Sequence, residues 1–176
     1  EYYGDSFDGV PVTYVTQQSR DGLADALLTA ESEISDEFVL LNGDNLIRAN
    51  VDELVSRHRE TGADVTALTE RVPQADAGNG AVFETDDGEI TGLVEKPEDP
   101  PSTLVPRGCY AFSTTILHAC HLVTPGRTEE YELTDAIDLL VQAGRRLETV
   151  EMDGWCYNVN TPADRRAVGA LLDDEP

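Results

Sequence analysis

The turn Asn42-Gly43-Asp44-Asn45 follows the apolar run Phe38-Val39-Leu40-Leu41 and carries a carboxylate at Asp44. An aspartate delivered on a short turn after a buried strand offers the hard oxygen that Mg2+ takes. Turns of this composition also end strands for conformational reasons alone, so Asp44 by itself leaves the metal role open. Glu95-Lys96-Pro97 sets an acceptor beside a cation, a pair able to hold a molecule that carries both hydroxyls and a phosphate. Lys96 is the only lysine among 12 basic residues, whereas a plain surface charge pair would show no preference for Lys over Arg. Gln17 and Gly22 flank a third candidate position. The Gln17 amide pairs a donor with an acceptor, as a nucleobase edge does, and a glycine lets a ring approach the backbone. The alternative for Gln17 is a solvated loop residue.

These positions need a scaffold, and strand and helix patterns alternate along the chain. Pro11-Val12-Thr13-Tyr14-Val15-Thr16 is a β-branched and aromatic run. After it, Leu23, Ala26, Leu27, Ala30 and Ile34 recur at helical spacing, with Asp21 as a capping residue. The run from Glu37 to Leu41 is continuously apolar after its first residue, as in a strand buried on both faces. A helix with Val51, Leu54, Val55 and His58 on one side ends at Gly62, and Asp64 to Thr69 follows as a strand. This order is that of an open α/β sheet, whose ligands gather beyond the carboxyl ends of the strands. Ala81 to Glu84 and Ile90 to Glu95, joined by Asp86-Asp87-Gly88, predict a β-hairpin. A strand near Gly108 to Phe112 follows the proline-rich segment 97–106. Helices are expected at 114–120 and over Leu133 to Val141, short strands at 147–152 and 155–159, and a last helix from Thr161-Pro162. Residues 1–172 make one domain, and 173–176 an acidic tail.

Composition narrows the classes. There are 35 acidic and 12 basic residues, a formal net charge of −23 and a pI near 4.1. Apolar periodicity argues against disorder, so the charge fits adaptation to molar salt, with an acidic partner-binding face as the alternative. Nucleic acid is not expected as a partner, since phosphate backbones need clustered Lys and Arg. No run reaches the ~20 apolar residues of a membrane helix, and no leader pattern is visible, which predicts a cytoplasmic protein. Cys109, Cys120 and Cys156 lack metal spacing and are odd in number, so buried thiols are expected.

Several stretches, in order, resemble the nucleotidyltransferases that join a sugar 1-phosphate to a nucleoside triphosphate. They are Tyr3-Gly4-Asp5-Ser6-Phe7, Val12 to Gln17, Asp21 to Leu27, Leu41 to Asn45, Asn79-Gly80-Ala81-Val82, Val94-Glu95-Lys96-Pro97, Tyr131 to Ala136, and Trp155 to Asp164. The resemblance implies an α/β fold: a Rossmann-like three-layer sandwich with a mostly parallel central sheet and an additional β-hairpin.

By the same resemblance Gln17 and Gly22 face a pyrimidine base, Asp44 binds Mg2+, Gly80 and Glu95 hold the sugar, Lys96 meets its phosphate, and Thr134 lies on the sugar side. Asp44 and Lys96 are then the catalytic pair. Asn158 stands where many members have a second metal-binding aspartate, and its neutral amide would bind Mg2+ more weakly or through water. The family's first βα portion, with its glycine-rich triphosphate loop, has no counterpart here; at about 30 residues per βαβ unit, something on the order of 60 residues is missing. The chain as it stands is therefore expected to be inactive. The implied substrates are glucose 1-phosphate with dTTP or UTP. A guanylyltransferase acting on mannose 1-phosphate and a non-catalytic binding subunit are the alternatives, and a homo-oligomer stays open.

Overall fold

The computed structural model describes residues 3–126 and 129–173; the expected tail beyond Asp173 lies outside them. In chain order the elements are β1 (Ser6–Phe7), β2 (Val10–Pro11), α1 (Leu23–Thr29), β3 (Phe38–Leu41), β4 (Asn45–Arg48), α2 (Val51–Thr61), β5 (Val65–Arg71), α3 (Gln74–Ala77), β6 (Val82–Asp86), β7 (Glu89–Val94), β8 (Leu104–Phe112), α4 (Thr115–Cys120), α5 (Leu133–Gln142), β9 (Leu147–Glu151), β10 (Trp155–Asn158) and α6 (Pro162–Asp173), with a 3-10 turn at Glu31–Glu33.

The central sheet has the order β3-β8-β5-β9. β5 pairs parallel to β9, while β3 and β5 both pair antiparallel to β8. Three strands thus share one direction and β8 runs against them, making the sheet mixed. Side chains of β8 alternate between its two faces. Tyr110 and Phe112 join Val65 and Ala67 under α1, α4, α5 and the hairpin residues Phe83 and Leu93. Cys109 and Ala111 join Leu68 and Val150 under Leu54 of α2, with Ile47 of β4 and Met152 at the margin. This period-2 division builds the three layers. Cys109 and Cys120 are buried free thiols and Cys156 is a half-buried one.

Two strand expectations change. Among the described residues β3 pairs with β8 alone, and its apolar run is covered on one face only. Phe38 and Leu40 pack on the core, while Val39 and Leu41 stand 45% and 55% exposed. The run Pro11–Thr16 is a strand only at Pro11. Val12 adds one further bond to Asp5, and the chain then leaves the short β1–β2 ladder without another strand beside it among the described residues. The β6–β7 hairpin forms as expected, with Asp87 and Gly88 both at positive φ, the geometry of a two-residue turn that matches strand twist.

His58 of α2 is 2% exposed, with Nδ1 3.0 Å from Thr66 Oγ1 and Nε2 buried without a partner among the described residues. Burial holds its pKa below the ordinary 6.5, outweighing the carboxylates of Glu37 and Asp64, and Arg59 adds to the lowering. The unfolded chain therefore takes up this proton first as pH falls. The denaturation midpoint in constant salt should be flat above about pH 6.5 and fall below it, and a His58→Gln variant should lose that slope. An equal slope in the variant would assign it to other groups.

Candidate active site

Strand β7 lies along helix α5, and three contacts fix the register between them. Gln142 Nε2 donates to the Thr91 carbonyl at 3.0 Å, Leu93 N donates to Asp138 Oδ1 at 3.1 Å, and Thr134 Oγ1 donates to Glu95 Oε2 at 3.3 Å. Two strand residues advance about 6.8 Å and four helix residues about 6.0 Å, so positions 91, 93 and 95 meet 142, 138 and 134 in turn. Glu95, just past the end of β7, is thereby delivered to the amino-terminal turn of α5. Its side chain is 19% exposed, against 61% for Lys96, whose ammonium lies 3.6 Å from Glu95 Oε1. Burial raises the Glu95 pKa above its ordinary 4.5 and the charge of Glu132 raises it further, with Lys96 and Thr134 opposing.

The Lys96 backbone N–H donates to the Gly80 carbonyl at 3.1 Å, which brings the Asn79-Gly80 loop to the same place. Gly80, Glu95, Lys96, Thr134 and Asn158 all line one cavity of about 740 Å3. A Cβ built at Gly80 meets nothing within 4 Å, so this glycine opens onto free space.

Asp44 and Asn158 sit at the rim. β4 and β10 pair antiparallel with Asn45 opposite Asn158, and Val159 N donates to the Asp44 carbonyl at 2.7 Å. Both side chains are exposed. Asn42 and Asn45 on the same turn line the cavity, whereas Asp44 does not. Gly108 of β8, at φ 61°, holds this turn. The side-chain amides of Asn42 and Asn45 occupy the space its Cβ would take, and Asn45 Nδ2 donates to the Arg107 carbonyl at 3.3 Å. The Asp44 carboxylate, on the turn before β4, and the Asn158 amide oxygen, on the paired strand β10, are hard oxygen donors of the type Mg2+ takes when it keeps several waters. No group of three His, Cys, Asp or Glu able to cage a metal exists among the described residues.

Gln17 and Gly22 do not line the cavity; their neighbour Leu23 does. Gln17 Nε2 is engaged inside the loop, donating to the Gly22 carbonyl at 3.1 Å and to Asp25 Oδ2 at 2.7 Å. Gly22, at φ 110°, is pressed against the Tyr131 backbone, where a Cβ would lie 2.7 Å from the nitrogen. Tyr131 N donates to the Asp21 carbonyl at 2.7 Å and Ala24 N to the Tyr131 carbonyl at 2.9 Å. The packing of Gly22 is thus already explained by the chain itself, and it ties this loop to the residues preceding α5. The convergence expected of Gln17, Asp44, Glu95 and Lys96 holds for Glu95 and Lys96. Gln17 and Asp44 do not line the cavity that Glu95 and Lys96 share.

The cavity also contains groups that motif reading missed. Arg107 donates through Nε to Glu70 Oε2 at 2.6 Å and through a terminal nitrogen at 2.5 Å. Tyr110 is 5% exposed, and burial pushes its hydroxyl well above the ordinary range, keeping it a neutral group. The sequence signal was Pro106-Arg107-Gly108, an arginine between two residues that otherwise weaken a strand.

The nucleotidyl transferase family profile matches residues 2–158. The chain belongs to the nucleotidyl transferase family. This nucleotidyl transferase chain is 45% identical over 176 residues to the UTP–glucose-1-phosphate uridylyltransferase AglF of Haloferax volcanii, covering 99% of its own length and 72% of AglF. It is 32% identical over 165 residues to a glucose-1-phosphate thymidylyltransferase of Streptomyces griseus, covering 93% of itself and 46% of that relative. A solved UDP-glucose pyrophosphorylase in complex with UDP-glucose shares the fold at a TM-score of 0.84 and 23% identity, with 94% of this transferase chain and 67% of that chain covered. A putative glucose-1-phosphate thymidylyltransferase structure from Bacillus anthracis matches at a TM-score of 0.82 and 25% identity, over 96% of this chain and 68% of that one.

Proposed function

We propose that the full-length protein joins glucose 1-phosphate to UTP or dTTP with release of pyrophosphate, and that the Glu95–Lys96–Thr134–Gly80 cluster holds the sugar phosphate. The carrying observation is that cluster: a half-buried carboxylate and a lysine ammonium lining one cavity, with Gly80 opening free space beside them. Glu95 accepts hydrogen bonds from sugar hydroxyls, and Lys96 neutralises the phosphate whose oxygen attacks the α-phosphorus in line. Catalysis then consists of positioning and charge compensation rather than covalent chemistry with the protein. Gln17, its amide nitrogen already engaged, keeps Oε1 to accept from the imide N–H of a pyrimidine, with Gly22 shaping the loop. Asp44 and Asn158 would hold Mg2+, which offsets charge on the triphosphate when bound. The names of AglF and the Streptomyces griseus relative support glucose 1-phosphate, and the 45% identity to AglF favours UTP. A reaction that consumes nucleoside triphosphates is expected to run in the cytoplasm.

Pyrophosphate release in molar KCl, with glucose, mannose and N-acetylglucosamine 1-phosphates against UTP, dTTP and GTP, tests this reading. Turnover is expected with glucose 1-phosphate and a pyrimidine triphosphate. A preference for mannose 1-phosphate with GTP would overturn the substrate assignment, and tight binding without turnover would favour a binding subunit, the reading that the neutral Asn158 supports.

Beside the ionisation of the phosphate itself, the acid side of kcat/KM for the sugar phosphate should contain a Glu95 ionisation raised above the ordinary 4.5 and absent from Glu95→Gln, because protonated Glu95 accepts sugar hydroxyls poorly. Burial is the leading cause, so this ionisation should stay raised in molar salt. An acid side identical in wild type and Glu95→Gln would remove Glu95 from substrate contact.

A further inference from the structure

Gly78 and Gly80, two positions apart, are glycines for opposite reasons. Gly80 faces open space, whereas a Cβ at Gly78 would stand 2.9 Å from the Pro97 carbonyl oxygen and 3.3 Å from Pro100 Cγ. The Gly78 backbone, at φ −74°, is one that any residue adopts, so only space demands the glycine. The segment it presses on is the one that aims the active-site lysine. Lys96 sits at φ 42°, unusual for a side-chain-bearing residue and more so immediately before a proline. Such a backbone persists only where its surroundings hold it.

The surroundings here are two loops joined like a clasp. Val72 N donates to the Thr103 carbonyl at 3.0 Å, Gln74 Nε2 to the Pro100 carbonyl at 3.0 Å, and Lys96 N to the Gly80 carbonyl at 3.1 Å. Gly78 lies between the last two, in direct contact with the Pro97–Pro100 backbone and ring.

We propose that Gly78 is a positioning residue for Lys96: its missing side chain lets the 73–80 loop close on Pro97 and Pro100 and so fixes where the Lys96 ammonium meets a phosphate. The proposal rests on the sugar-phosphate role given to Lys96 above. Adding a methyl at position 78 must push the Pro97 carbonyl by a few tenths of an ångström. Pro97 is bonded to Lys96, so the displacement reaches the Lys96 backbone, whose φ of 42° sets the direction in which the side chain leaves. Misplacement on the ångström scale costs roughly 10²-fold in well-aligned sites, so a fraction of that should cost roughly tenfold.

The test is a double-mutant cycle in the full-length protein in molar KCl, with Gly78→Ala, Lys96→Ala and the double variant read by kcat/KM for glucose 1-phosphate. Gly78→Ala is expected to lower it roughly tenfold with the KM for UTP unchanged. On the Lys96→Ala background it should add less than about twofold, because the group it positions is gone. An unchanged rate, or the same tenfold loss on both backgrounds, would overturn the proposal, since a merely structural defect adds independently. If Gly78→Ala does not fold, Gln74→Ala loosens the same clasp from its exposed edge and should show a loss of about threefold, again only with Lys96 present. Calorimetric binding of glucose 1-phosphate to wild type and Gly78→Ala separates the two layers. Weaker binding by the variant supports the positioning role even if the wild type gives no turnover, a result that would overturn the assigned reaction alone. No binding by the wild type would overturn both.

Discussion

Lys96→Ala in the full-length protein is expected to lower kcat/KM for the sugar 1-phosphate by roughly 10²-fold, with the KM for the nucleoside triphosphate changed little. The Lys96 side chain is 61% exposed, and its ammonium lies 3.6 Å from a glutamate whose side chain is 19% exposed. A bound phosphate would cover it. Truncating one partner of a covered charge pair costs about 2–5 kcal/mol, and the partial exposure of Lys96 puts the effect toward the low end; at about 1.4 kcal/mol per decade that is roughly 10²-fold. Lys96→Arg should recover part of the loss, since a wider planar cation can neutralise the phosphate without matching the point geometry. The same substitution to alanine also removes a charge that lowers the Glu95 pKa, so the acid limb of the remaining activity should move up. Steady-state kinetics across pH in molar KCl checks all three, and a variant with wild-type kinetics would return Lys96 to the solvated surface.

Dialysis from molar KCl into dilute buffer is expected to unfold the protein. The formal net charge of −23 resides on 176 residues, and carboxylates crowd each other inside the fold as well as on it. Asp135 is raised above its ordinary range first by burial and then by Glu132 and Asp138, and Glu84 and Asp138 both approach Gly92. The screening length is about 3 Å at 1 M salt and about 10 Å at 0.1 M, so dilution lets each carboxylate feel many others at once. Twelve basic residues are too few to balance them. Far-UV circular dichroism should lose the helical signal as salt falls and regain it on adding KCl. An unchanged melting temperature in dilute buffer would contradict the halophilic reading and leave the acidic surface to a partner.

Local chemistry was legible in the sequence, and relations across the sheet were not. Asp87-Gly88 between alternating runs specified the hairpin, and the amphipathic patterns of α2 and α5 specified their buried faces. Glu95, Lys96, Gly80, Thr134 and Asn158 all reach one cavity, as the ordered motifs implied. The exposure of Val39 and Leu41 reflects that no described element packs over that face of β3, which an apolar run does not encode. The reason for Gly22 lies at Tyr131, more than a hundred residues away, and the turn bearing Asp44 is seated on Gly108 through Asn42 and Asn45. Arg107 stood unnoticed because its relation to the cavity comes from the β8 register and its bond to Glu70, contacts that no spacing along the chain displays.

A crystal structure of the full-length protein with glucose 1-phosphate, grown in molar salt, measures the central claim most directly. Density for the sugar with hydroxyls on Glu95 and the phosphate on Lys96 Nζ, beside Gly80, is the expected result. Sugar phosphate bound elsewhere, touching neither Glu95 nor Lys96, would contradict it.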